Sequence, residues 1–133
     1  MIKLICGEKG AGKTKKILDM ANDTAQTSKG SVVFLDKDDS HKLGLSYKVR
    51  LNDMSEWRVS SDNELVAFIK GMLATNYDIT DIFVDSSLKI CCGDVDAFAA
   101  ILPQLEAITA DVNLVMTVSI AVETCPDTIK AYT

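Results

Sequence analysis

The stretch GEKGAGKT, residues 7–14, places three glycines within six residues and ends in Lys13 and Thr14. It follows a short apolar run, Ile2–Cys6, which fits a buried strand. From Lys13 onward, apolar residues recur at helical spacing until Gly30 offers a stop. The stretch therefore predicts a strand, a tight loop and a helix in direct succession, as at the start of an α/β fold.

Further apolar runs predict further strands. Three runs are nearly continuous in apolar residues: SVVFLD at 31–36, DIFVD at 81–85 and VNLVMTVSI at 112–120. Such runs indicate strands that are buried on both faces, as in a parallel sheet between helices. The alternating run at 47–53, YKVRLND, is typical of an edge strand.

Amphipathic segments between these runs predict helices. A capping box at Ser61 and Glu64 precedes one of them, since the serine can cap a backbone N–H while the glutamate reaches back. Another is expected over residues 94–110, with Pro103 kinking it or splitting it in two. Pro126 can start a last short helix.

Length and composition agree with this alternation of strands and helices. The chain has 133 residues, of which 47% are hydrophobic, enough for one domain with a real core. We therefore predict a single domain over residues 1–133 with a three-layer α/β fold. Its mostly parallel sheet of four or five strands is expected to be flanked by helices.

Composition also argues against several classes of protein. A net charge of -5 without a Lys/Arg run disfavours a general nucleic-acid binder. Four cysteines without a C-x-x-C pair disfavour a zinc site or a disulfide framework. The first residues, MIKLIC, are too short for a signal peptide, and no apolar run approaches the ~20 residues of a membrane span. We expect a cytoplasmic protein without a membrane partner.

The opening stretch carries the clearest chemistry, because it matches G-x-x-x-x-G-K-[ST] at every fixed position. Glycines let the backbone turn its N–H groups inward, where they and the positive end of the following helix bind phosphate oxygens. The ammonium group of Lys13 can reach the β- and γ-phosphates, and the Thr14 hydroxyl can bind Mg²⁺. The expected nucleotide-binding residues are Gly7, Glu8, Lys9, Gly10, Ala11, Gly12, Lys13, Thr14 and Lys15.

These eight residues resemble the Walker A motif of the P-loop NTPase superfamily. The run IFVD, which ends in Asp85, resembles the Walker B motif. The resemblance implies a three-layer fold, a nucleotide with Mg²⁺ as ligand, and usually cleavage between the β- and γ-phosphates. It also implies that Lys13 and Asp85 act in catalysis and that Thr14 and Asp85 hold the metal. The chain is similar as well to small bacterial P-loop ATPase-like proteins.

Within this superfamily, the branch with an added strand between the two Walker strands often has a glutamate after the Walker B aspartate. Here Ser86 and Ser87 follow Asp85, so fast hydrolysis is not expected. Two other carboxylates, Asp36 and Asp38, are weak candidates for the base that orients water.

The same branch often carries a polar sensor for the γ-phosphate near the end of the added strand. Thr117 and Ser119 are weak candidates for that sensor. We therefore favour the added-strand branch. The N-K-x-D motif of GTPases is absent, which favours ATP over GTP.

Three functions fit these residues. The first is a slow ATPase, or one that a protein partner or self-association activates. The second is a nucleotide-gated interaction module with little turnover, in which bound nucleotide orders residues 36–61. The third, a small-molecule or nucleotide kinase, is disfavoured because the only arginines, Arg50 and Arg58, form no lid motif. The sequence leaves the partner and the oligomeric state open.

Overall fold

The computed structural model describes all 133 residues and contains one five-stranded sheet. The strands are β1 (Ile2–Cys6), β2 (Ser31–Asp36), β3 (Val49–Asp53), β4 (Ile79–Val84) and β5 (Asn113–Val118). Every neighbouring pair is parallel, and the order across the sheet is β1-β5-β4-β2-β3. The added strand β5 thus separates β1 from β4, as predicted.

Five helices connect or follow the strands. They are α1 (Lys13–Thr27), α2 (Asp62–Thr75), α3 (Ser87–Ile90), α4 (Val95–Ile108) and α5 (Asp127–Lys130). The Ser61 hydroxyl caps α2 by accepting from the Glu64 N–H at 3.2 Å, as the capping box predicts. The Glu64 carboxylate reaches back to the N–H of Ser60, at 3.1 Å. No helix combines the length and the apolar character needed to cross a bilayer.

Two hydrophobic cores lie on opposite faces of the sheet, which makes the fold three-layered. On one face, Ile17 and Ala21 of α1 belong to a core that also contains Phe34 of β2. On the other face, α2 and α4 pack together over a larger core that includes Leu35. Adjacent residues of β2 therefore point into different cores, which explains why the run is apolar throughout.

The predicted α/β fold with a parallel sheet is confirmed, and so is the edge position of β3. Of the two effects expected of Pro103, a kink or a split, the split is wrong, because α4 continues unbroken from Val95 to Ile108. Proline at this position removes one backbone hydrogen bond to the preceding turn. Leu102 precedes Pro103 and Leu105 follows it, and both are fully buried, so packing against the core holds the two parts of α4 in line.

Candidate functional site

The loop between β1 and α1, residues 7–12, holds an open backbone conformation that depends on glycine. Gly10 and Gly12 have φ angles of 90° and 84°, in the left-handed region that other residues rarely adopt. Gly7 has a different constraint, since a Cβ there would lie 3.1 Å from the Cβ of Ala11. We call residues 7–12 the glycine loop.

Several N–H groups at this loop have no acceptor in the protein. The Ala11 N–H donates to the carbonyl of Glu8 at 3.1 Å, and the Lys16 N–H donates to the carbonyl of Gly12 at 3.1 Å. Between these two donors, the N–H groups of Gly12, Lys13, Thr14 and Lys15 have no acceptor, and neither do those of Glu8, Lys9 and Gly10 earlier in the loop. Such groups at the start of a 15-residue helix favour an anion.

Lys13 lies over the glycine loop. Its Nζ donates to the carbonyl of Glu8 at 2.9 Å in an exposed position. Because this bond is exposed and ends on a neutral oxygen, the ammonium group can exchange it for a charged acceptor at little cost.

Asp85 joins the glycine loop to the ends of two strands. Its carboxylate is 1% exposed and accepts from the Thr14 hydroxyl at 3.1 Å and from the Thr117 hydroxyl at 2.6 Å. The Thr117 hydroxyl in turn accepts from the N–H of Ser86 at 2.9 Å. This chain of hydrogen bonds fixes the carboxylate at the carboxyl edge of the sheet, where parallel α/β sheets bind ligands.

Backbone strain follows directly after this aspartate. Ser86 has a φ of 59°, which is uncommon for a residue with a side chain. The Ser87 hydroxyl donates to the carbonyl of Thr117 at 2.7 Å and is fully buried. These contacts hold the turn after β4 against β5, and such strain is often kept at functional sites.

Asp36, at the end of β2, forms a buried pair with His41. Its carboxylate is fully buried and lies 2.7 Å from His41 Nδ1, while the N–H of Lys37 donates to its other oxygen at 2.8 Å. Burial raises the pKa of Asp36, the hydrogen bond to His41 opposes that rise, and the charge of Asp85 adds to it. Ligand atoms of Asp36, His41 and Asp85 lie within 4.8 Å of one another.

A cavity of about 240 Å³ brings these elements together. No hydrophobic residue lines it. The lining residues are Lys9, Gly10, Lys13, Thr14, Lys37, His41, Asp85, Ser86, Lys89, Thr117 and Ser119. The four lysines outnumber the one lining carboxylate, so the cavity favours a polyanion. We call it the loop cavity.

Most of the side chains singled out in the sequence meet at the loop cavity. Lys13, Thr14, Asp85, Thr117 and Ser119 all line it. The Thr14 hydroxyl and the Asp85 carboxylate are oxygen donors of the kind that Mg²⁺ prefers, and they lie side by side. The residues present therefore fit a magnesium ion bound at this edge.

Seven predicted residues lie outside the cavity lining: Gly7, Glu8, Ala11, Gly12, Lys15, Asp36 and Asp38. Asp38 is half-buried, and its carboxylate accepts from the N–H of Ser40 at 3.0 Å within its own turn. Lys15 pairs with Asp19 at 2.9 Å on the exposed face of α1. The side chain of Glu8 is exposed as well. Of the two candidate bases, only Asp36 is in contact with a residue of the cavity.

Besides Ser86, sequence reasoning missed three polar residues of the cavity: Lys37, His41 and Lys89. Lys37 directly follows Asp36 at the end of a predicted strand, and this position could have predicted that Lys37 lies at the carboxyl edge of the sheet. His41 stands in a polar loop without any pattern around it. Lys89 belongs to α3, which is too short at four residues to show a helical period. The last two could be placed only by the tertiary structure.

Comparison with models of known protein families found no match, and comparison with curated proteins found no significant similarity.

Proposed function

We propose that this chain binds ATP with Mg²⁺ in the loop cavity and hydrolyses it slowly, or faster when a partner activates it. The observation that carries the proposal is the convergence of free N–H groups, the Lys13 ammonium group and the paired oxygens of Thr14 and Asp85 on one polar cavity.

The glycine loop would bind the phosphates. The N–H groups of Gly10, Gly12, Lys13 and Thr14 are free to donate to phosphate oxygens. Lys13 would leave the carbonyl of Glu8 and contact the terminal phosphates as a point charge. Lys9, Lys37 and Lys89 would add to the positive field.

Thr14 and Asp85 would hold the magnesium ion, directly or through its water. When bound, Mg²⁺ neutralises phosphate charge and stabilises the charge that develops in the transition state. The hydrogen bond from Thr117 keeps the Asp85 carboxylate oriented for this role. Thr117 and Ser119 can also contact the terminal phosphate from the end of β5.

His41 is the best placed group to activate water, since no glutamate follows Asp85. With Nδ1 donating to Asp36, the other ring nitrogen, Nε2, is left to accept a proton from water. Asp36 would hold the ring in that orientation, as in other pairs of a base and an orienting carboxylate. We expect His41→Ala to slow phosphate release about 100-fold while changing the affinity for ATP by less than about threefold.

Calorimetric titration with Mg²⁺ and ATP tests the binding step. The wild type should bind, and Lys13→Ala should weaken binding at least about tenfold, because it removes a charged contact to phosphate. Lys16→Ala is the matched control, since Lys16 is exposed on the same helix and does not line the cavity. Absence of binding by the wild type would refute the proposal.

A nucleotide-gated module is the second candidate, favoured by the place of Lys37 and His41. Both lie in the connection between β2 and β3 and both line the loop cavity, so a bound phosphate would contact this connection. Hydrogen exchange should then slow within residues 37–48 on addition of Mg²⁺ and ATP. Unchanged exchange there would remove the basis for this candidate.

A further inference from the structure

A second cavity, of about 290 Å³, shares part of its wall with the loop cavity. Lys37 and Lys89 line both cavities, and Arg58 lines the second one alone. No carboxylate lines the second cavity, and none of these three residues forms a salt bridge. Asp38 is near enough for its charge to act on Lys37 and Lys89 but forms no ion pair with either. Three cations and one carboxylate leave a positive excess, which favours an anion with more than one negative charge.

The inner side of this cavity is apolar. Met54, Val59 and Ile90 line it, and all three are buried. A ligand that contacts both parts of the lining therefore carries an anionic group and an apolar portion.

A tight turn places Arg58 at the mouth of the cavity. Its φ is 56°, and the N–H of Val59 donates back to the carbonyl of Met54 at 2.9 Å, which closes the turn. The side chain of Arg58 forms no hydrogen bond or ion pair within the protein, so its planar donors are free for an oxyanion.

Lys37 and Lys89 also lie close to each other. The neighbouring Lys37 side chain lowers the pKa of Lys89, chiefly through their direct contact and then through its charge. An anion next to both would offset this repulsion.

We propose that the second cavity binds a small phosphate monoester, with its phosphate on Arg58, Lys37 and Lys89 and its apolar portion on the buried wall. The inference goes beyond nucleotide binding. It rests on the proposed function in one respect only: the shared lysines place this ligand beside the terminal phosphate of ATP.

Phenyl phosphate is a suitable probe, because it combines a dianion with an apolar ring. Protein saturated with Mg²⁺ and the non-hydrolysable analogue AMP-PNP is titrated by calorimetry with phenyl phosphate, inorganic phosphate and phenol. We expect phenyl phosphate to bind most tightly and phenol not to bind. Equal binding of phenol and phenyl phosphate would overturn the proposal, since the cations would then contribute nothing.

Three variants locate the binding. Arg58→Gln keeps a polar side chain but removes the charge and the planar donors of the guanidinium group, and it should weaken phenyl phosphate binding at least about tenfold. Arg50→Ala is the matched control, as the only other arginine is exposed on β3, and it should leave the affinity unchanged. Lys13→Ala, titrated without nucleotide beside the nucleotide-free wild type, shows whether the probe binds at the glycine loop instead. Binding lost in Lys13→Ala but kept in Arg58→Gln would assign the probe to the glycine loop and overturn the proposal.

This design separates the two proposals. If AMP-PNP fails to bind while Arg58→Gln alone weakens phenyl phosphate, the proposed function fails and the second site stands. If AMP-PNP binds and phenyl phosphate does not, the proposed function stands and the second site fails. The unfolding temperature of Arg58→Gln is measured as a control. If it equals that of the wild type, a loss of binding by the variant is not caused by a loss of folding.

Discussion

Asp36 shows how a single buried carboxyl makes stability depend on pH. Its pKa lies above the ordinary value of 3.8, because burial penalises the charged form. The folded chain holds this proton more tightly than the unfolded chain does. Protonated Asp36 therefore stabilises the fold fully when the pH is below the pKa of Asp36 in the unfolded chain. This stabilisation is lost as the pH rises through the pKa of Asp36 in the folded chain.

Asp36→Asn removes this dependence, since the amide does not titrate. We expect the free energy of unfolding of the wild type, minus that of the variant, to fall as the pH rises from about 3.5 to about 7. Urea unfolding of both proteins across that range measures the difference. A difference that grows with pH would contradict the assigned direction.

Cys6 directly precedes the glycine loop and is expected to be chemically inert. Burial raises its pKa to about 11, with a further contribution from the neighbouring Cys125. At pH 8 only about 0.1% of the thiol is then ionised, and the thiolate is the reactive form. Iodoacetamide should modify the exposed Cys92 well before Cys6, as mass spectrometry of the native protein can show. Equal rates of modification of Cys6 and Cys92 would contradict the expected inertness of Cys6.

Two glycines in different elements are expected to respond oppositely to alanine. Gly12 has a φ of 84°, and a Cβ there meets no atom within 4 Å, so backbone strain is the only penalty. We expect Gly12→Ala to destabilise the fold by about 1–2 kcal/mol. Gly71 lies within α2, also in open space, and Gly71→Ala should stabilise by about 0.5–1 kcal/mol.

Urea unfolding of the two variants measures both changes. Opposite signs are the expected result, because the same methyl group restricts the unfolded chain in both cases but fits the native backbone only at Gly71. The account of the glycine loop would be wrong if Gly12→Ala were as stable as the wild type.

At the scale of elements, a helix or strand can be predicted from the sequence when its own consecutive residues show which of its faces are buried. The run SVVFLD is apolar because it lies between two cores, and that pattern can be read without the structure. The effect of Pro103 could not be read in this way. Whether a proline breaks a helix depends on the packing of the turns on either side, and the buried Leu102 and Leu105 on either side of Pro103 hold α4 together.

At the scale of the whole molecule, the strand order decides the site. β5 lies between β1 and β4, so Thr117 reaches Asp85, and both lie beside Thr14. The motif residues were predictable because their spacing in the chain is fixed. The pairing of His41 with Asp36 was not, because the polar loop that carries the histidine has no periodicity that could show where it folds back.

The central claim is that free N–H groups of the glycine loop and the next residues bind the phosphates of ATP. Amide NMR spectra of the protein, recorded with and without Mg²⁺ and ATP, test it most directly. We predict large downfield shifts of the amide protons of Gly10, Gly12, Lys13 and Thr14 in the wild type, and smaller shifts in Lys13→Ala at the same sub-saturating nucleotide concentration. Unchanged resonances for these four residues at millimolar nucleotide would contradict the account.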